Sequence, residues 1–154
     1  MARLALAAAA LLYCSPALAE EGGTLSGTFG ADDAALTLWA AQSDFWGSAA
    51  SGGVSIMAMS ETGTLSLGFE TSGQTATLPE IAWRLRGDTA GYFADEDSGA
   101  TVTLTGIGMQ GAELHVTGEV SAQLAYSTDF GRTLDMNNTV PVQLAFDVTL
   151  AELD

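Results

Sequence analysis

Between residues 140 and 150 apolar and polar side chains alternate with a period of two. Val140, Val142, Leu144, Phe146, Val148 and Leu150 fall on one face, and Gln143, Asp147 and Thr149 on the other. That spacing predicts a long strand with one face buried. Pro141 has no N–H to give to a ladder, so the strand's start is expected at an edge or just outside the paired region. A second long run precedes it. Leu114, Val116, Val120, Leu124 and Tyr126 alternate with His115, Thr117, Glu119, Ser121 and Gln123. Gly118 occupies an inward position in this run, where a bulge or bend is expected.

Shorter segments follow the same rule. Leu25 and Phe29, Val54 and Ile56, and Leu65, Leu67 and Phe69 each mark an inward face. So do Val102 and Leu104, while Ile81, Trp83 and Leu85 oppose Arg84 and Arg86. Turn-forming Gly, Ser, Thr and Asp residues separate these runs. In the segment 34–41, Asp32 and Asp33 could cap a short helix, but Leu36, Thr37, Leu38 and Trp39 favour a strand. The total is about seven or eight strands, which predicts an all-β fold, a small antiparallel β-sandwich, with a closed β-barrel as the alternative. Gly23-Thr24-Leu25-Ser26 and Gly63-Thr64-Leu65-Ser66 share four letters, but no sustained repeat accompanies them, so shared strand chemistry accounts for the match. A small outer-membrane barrel fits less well. Several of the runs are shorter than a tilted membrane strand, and aromatic residues do not recur at both strand ends.

Met1 to Ala19 reads as a secretory signal, with Arg3, an apolar run from Leu4 to Tyr13, and small residues at Ala17 and Ala19. The run is too short to span a bilayer, and no later segment is long and apolar enough to do so. Cys14 suggests a lipid-anchored form, but the bulky Tyr13 before it argues for ordinary cleavage after Ala19. The expected product is a single exported domain over residues 20–154, periplasmic where the host has an outer membrane and otherwise secreted. Cys14 is the one cysteine of the chain and would leave with the signal, so disulfides are not expected.

Composition adds that this is a folding chain, since 47% of its residues are hydrophobic. Its formal charge is −15, from 19 acids against four basic residues, all of them arginine. Such a field disfavours nucleic acid and anionic lipid, and favours cations, basic partners or simple solubility. With no lysine, and with its cysteine in the signal, the exported chain has no thiol nucleophile, sulfur-ligated metal, Schiff base or phosphate-loop lysine. His115 is the only histidine, placed mid-strand on the polar face, and no Gly-x-Ser-x-Gly elbow accompanies it. It reads as an exposed strand histidine.

The carboxylates are what remain. Glu70, Glu80, Glu113 and Glu119 supply acids and bases for a glycosidase-like hydrolase if folding sets two of them across a cleft. Asp95, Glu96 and Asp97, followed by Ser98 and Gly99, form the densest oxygen cluster and the candidate calcium site, with Asp32 and Asp33 a weaker one. The spacing is not that of an EF-hand, and a solvated acidic turn is the preferred reading. The stretch Ser127 to Asn138 is the longest without alternation, and such loops often bind ligands. There Arg132 is placed either to clamp a carboxylate ligand or to pair locally with Asp129 or Asp135, the preferred reading. Asn137-Asn138-Thr139 matches the glycosylation sequon. Trp39 and Trp46 lie in or beside a Gly/Ser-rich loop, where an exposed indole stacks on a sugar ring or on another protein, although capping of the core is the simpler role. The reading these observations favour is a non-catalytic binding or interaction module of the cell envelope, its partner an envelope protein or a glycan. A carboxylate-based hydrolase is the rival.

Overall fold

The computed structural model describes residues 22–153. The signal over residues 1–19, with Cys14 and the cleavage position, lies outside the described residues. Ten strands follow one another: β1 (Gly23–Phe29), β2 (Asp32–Leu38), β3 (Asp44–Ser48), β4 (Ser51–Met59), β5 (Gly63–Ser72), β6 (Thr75–Leu85), β7 (Gly91–Asp95), β8 (Thr101–Gln110), β9 (Glu113–Ser127) and β10 (Asp135–Glu152). Among the described residues the only helical element is a 3-10 turn, Ala40–Gln42, so none is long and apolar enough to cross a membrane.

All ten strands belong to one sheet, antiparallel except where β3 meets β10. Its hydrogen bonding runs in a ring. β10 pairs with β1, β1 with β2, β2 with β4, then β5, β6, β7 and β9 follow, and β9 returns to β10. β7 and β8 both run antiparallel to β9 on the same side of it, one opposite Ala125–Ser127 and the other opposite Glu113–Ser121. They behave as one line of chain interrupted by the turn 96–100. The all-β class is as expected, and segment 34–41 is indeed mostly strand. Asp32 and Asp33 lie within β2 rather than capping a helix.

Two strands had no expectation, β3 and β7, each of five residues. Alternation over so short a run, in β3 with a glycine and a serine at its end, is indistinguishable from a loop. Pro141 does not mark the start of the last strand, which begins at Asp135. It stands opposite Gln123 of β9, and its carbonyl accepts a 2.7 Å bond from the Gly30 N–H. A strand residue's nitrogen and carbonyl point the same way, so the donor that proline lacks faces the β1 side, just past the last β1 pair at Phe29 and Val142.

The inward positions make one apolar cluster, in which Ile56, Leu65, Val116, Val120, Leu124 and Val148 are fully buried. Phe69 and Phe146 pack with centroids 6.1 Å apart. Gly118 keeps its register with Phe146, and the bulge lies across from it, between Leu104 and Gly106 of β8. The glycine serves another purpose: its missing side chain leaves room for the Phe146 ring.

Candidate functional site

Where inward side chains fill the core, the alternate side chains of β3 to β7 build an outer face. One transverse row crosses five strands: Asp44 stands opposite Ser55, Ser55 opposite Gly68, Gly68 opposite Glu80, and Glu80 opposite Asp95. On one side of it runs Trp46, Gly53 and Glu70, and on the other Met57, Ser66, Ala82 and Phe93. The middle of all three rows is small, so the face is a trough. It comprises two adjoining depressions of about 430 and 280 Å³ that share Ser55, Gly68 and Glu80.

Apolar side chains wall this trough. At one end Trp46 is 53% exposed, and its indole lies across Gly53, where any side chain would collide with it. Leu78, 54% exposed, lines the same depression from β6, in a bulge where the β5–β6 register slips between Gly68 and Glu70. At the other end Phe93 and Phe130 line the depression, and Phe130 is 56% exposed. Leu78 and Phe130 are the two non-glycine residues with positive φ among the described residues, at 50° and 61°. That conformation is unfavourable for a side chain, and here both instances turn an apolar group outward at the rim of one trough.

The loop 128–134 that presents Phe130 is held by Asp129. Its carboxylate accepts bonds from Ser127 Oγ at 2.7 Å, the Thr133 N–H at 2.9 Å and Thr133 Oγ1 at 2.8 Å. The Ser127 bond, then the Thr133 bonds, hold its pKa down at about 2, with the Arg132 charge a smaller cause. An unfolded aspartate titrates near ~3.9. This loop's stabilisation is therefore complete above about pH 4 and is lost as pH falls through about 2. In a carboxyl NMR titration Asp129 should show that low midpoint, and Asp129→Asn should loosen the Phe130 loop at neutral pH. A midpoint at the ordinary value would refute the account.

The structure divides the residues singled out from sequence. Trp46 is a wall of the trough. Trp39 is elsewhere, at the end of β2, with its N–H on the Met57 carbonyl at 2.7 Å and its own carbonyl bonded by the buried Ser43 hydroxyl at 3.0 Å. The stretch expected as a loop from Ser127 to Asn138 is shorter, since Asp135 and the residues after it belong to β10. Asp135 accepts the Asn137 N–H at 3.0 Å and shares no bond with Asp129 or Arg132. Arg132 makes no side-chain contact within ion-pair distance of Asp129 or Asp135 among the described residues, although its charge acts on Asp129 at longer range. The one short contact between a basic and an acidic side chain among the described residues is the hydrogen bond between His115 Nε2 and Asp147 Oδ1 at 2.7 Å. Asp95 closes β7 and belongs to the trough, while Glu96 and Asp97 lie in the turn beyond it. Asp95 Oδ1 takes the Ser98 N–H and Oγ, both at 2.8 Å, and the hydroxyl bond above all lowers its pKa. Among the described residues no three His, Cys, Asp or Glu side chains come together in a way that could hold a metal ion, and this includes the candidate calcium cluster.

Sequence reading missed Leu78, Phe93 and Phe130. Phe93 sits in an unexpected strand, and the other two owe their direction to backbone geometry. The trough is thus rich in acceptors (Asp44, Glu70, Glu80 and Asp95), and the His115–Asp147 contact lies outside it. Glu80 and Asp95 stand directly opposite each other, an arrangement that like charges make unfavourable. No protein-family model, no curated protein and no solved structure matches this chain.

Proposed function

We propose that this protein is a non-catalytic binding module of the cell envelope, and that its outer trough takes an extended, positively charged segment of a protein partner. The observation that carries this reading is the facing pair Glu80 and Asp95 on the trough floor, between aromatic walls. A guanidinium or ammonium placed between these two carboxylates is attracted by both. Phe93 and Phe130, at the same end of the trough, offer ring faces to that cation or to its alkyl stem, and Trp46, at the far end, offers one to a second residue of the segment. A small floor of Gly53, Ser55, Ser66, Gly68 and Ala82 lets a backbone lie close.

The trough's lining offers carboxylates and hydroxyls with no amide or basic side chain, a charge that complements a cation more than a neutral glycan. For a hydrolase one carboxyl must hold a proton at working pH, and Asp95 is shifted the opposite way. Export rests on the sequence of residues 1–19. The outward residues Glu119, Gln123, Gln143 and Asp147 on the longest strands favour water over lipid around the sheet.

Titrating the protein with arginine- and lysine-containing peptides should change its tryptophan fluorescence saturably, a change lost in Trp46→Phe, with affinity falling steeply as salt rises. Replacing Glu80 and Asp95 together by Gln and Asn should weaken binding about tenfold or more. Salt-insensitive binding of neutral oligosaccharides in place of the peptides would overturn the reading in favour of a glycan. Turnover of a glycan panel would overturn it in favour of the hydrolase.

A further inference from the structure

A second cavity, separate from the trough, opens at the end of the sheet where β1 turns into β2. We propose that it binds a small organic cation, an ammonium group carrying apolar substituents. The cavity encloses about 350 Å³, near the lower end of the range for small-molecule sites. Phe29, Trp83, Tyr92 and Leu36 line it, and Asp32 and Asp33 stand at its lip.

Aromatic groups here are arranged around a space as well as against one another. Phe29 lies 5.1 Å from Trp83 between centroids, and meets Tyr92 edge-on at 6.2 Å. Phe29 and Tyr92 are only half-buried, so part of their ring surface faces the cavity. Ring faces carry negative potential and attract a desolvated cation.

Asp32 supplies the charge. It shares the inward register of Ala34, Leu36 and Leu38 and stands opposite Phe29 in the β1–β2 ladder. A carboxylate on the inward side of a strand contributes nothing to apolar packing. No described residue forms a hydrogen bond or ion pair with the side chain of Asp32 or Asp33. Arg84 alternates with Trp83 and Leu85 and so falls on the outward register of β6, and Arg86, just past the end of β6, lines a separate depression with Ala35 and Thr37 on the other face of β2. An aromatic cavity with an unpaired carboxylate at its lip selects an ammonium over an uncharged molecule of the same shape.

Choline and its uncharged carbon isostere, 3,3-dimethylbutan-1-ol, separate charge from shape. With Trp39 and Trp46 both changed to Phe, Trp83 is the remaining tryptophan and reports on this cavity alone. Its emission should respond saturably to choline, with the alcohol binding about tenfold more weakly. Asp32→Asn should bring choline down to the level of the alcohol while circular dichroism stays that of the parent. Equal binding of the two probes would reduce the cavity to an apolar pocket and overturn the proposal. So would the absence of a saturable response, or an Asp32→Asn variant that keeps its preference for choline. Should Asp32→Asn fail to fold, the comparison of the two probes on the parent decides alone. Because Trp46 is absent from the reporter variant, the result is independent of binding in the outer trough.

Discussion

Phe45→Ala is expected to reduce the free energy of unfolding by about 3–5 kcal/mol, while Trp46→Ala, one residue along, changes it by about 0.5 kcal/mol. Chemical denaturation with constant slope measures both. The two aromatics are neighbours on β3 and point to opposite faces: Phe45 is 1% exposed and Trp46 is 53% exposed. Removing the first leaves a cavity among the core side chains, and removing the second leaves solvent in its place. Binding in the outer trough should separate from stability. Trp46→Ala, as stable as the parent, should bind a basic peptide about tenfold more weakly. A loss of stability from Trp46→Ala as large as that from Phe45→Ala would show the indole to be a plug of the core and remove it from the site.

Gly118→Val is expected to cost about 1–3 kcal/mol, seen as a lower midpoint of thermal or chemical unfolding. A Cβ at this position would stand 2.6 Å from the Thr103 carbonyl oxygen and 2.7 Å from Phe146 Cζ. Neither can retreat easily. The first belongs to the backbone of β8, and the second to a ring 3% exposed that packs on Phe69. The partner can be identified by combining substitutions: Phe146→Leu withdraws the ring, so Gly118→Ala should be less damaging in that background than alone. Full additivity would place the cost on the β8 backbone and not on the ring.

How far the molecule was legible beforehand follows from the range of the forces involved. The faces of β9 and β10 were readable because alternation over many residues leaves one register that buries Leu114, Val116, Val120, Leu144, Phe146 and Val148 together. The class of fold follows from several such runs. β3 and β7 were not readable, since five residues carry too little pattern, and besides a hairpin with a chain neighbour each depends on a short ladder with a strand distant in sequence, β3 with β10 and β7 with β9. Pro141 was misread for the same reason. Its effect depends on where β1 ends, and nothing near residue 141 encodes that.

The candidate site was legible only in fragments. Trp46 stood out as a large apolar residue among small polar ones, and Asp95 as the start of an acidic run. What joins them is a row of cross-strand neighbours from β3 to β7, and no residue in that row is adjacent in sequence to the next. Leu78 and Phe130 point outward because of a bulge and a left-handed turn, conformations that their side chains disfavour and that the surrounding ladders impose. Asp129 was read as a ligand-loop carboxylate or the partner of an arginine. The structure adds that it holds the loop together through Ser127 and Thr133, bonds that depend on the turn closing first.

By itself, then, the sequence determined that this chain folds as β structure, which faces of its long strands are buried, that its surface is acidic, and which chemistries its residues exclude. Each of these is a property of local spacing or of composition. The tertiary structure alone decided that Glu80 faces Asp95 between Trp46 and Phe93, and that Asp32 stands at the lip of an aromatic cavity. Those are meetings between strands, set by register and ring closure, and register is a property of the whole sheet.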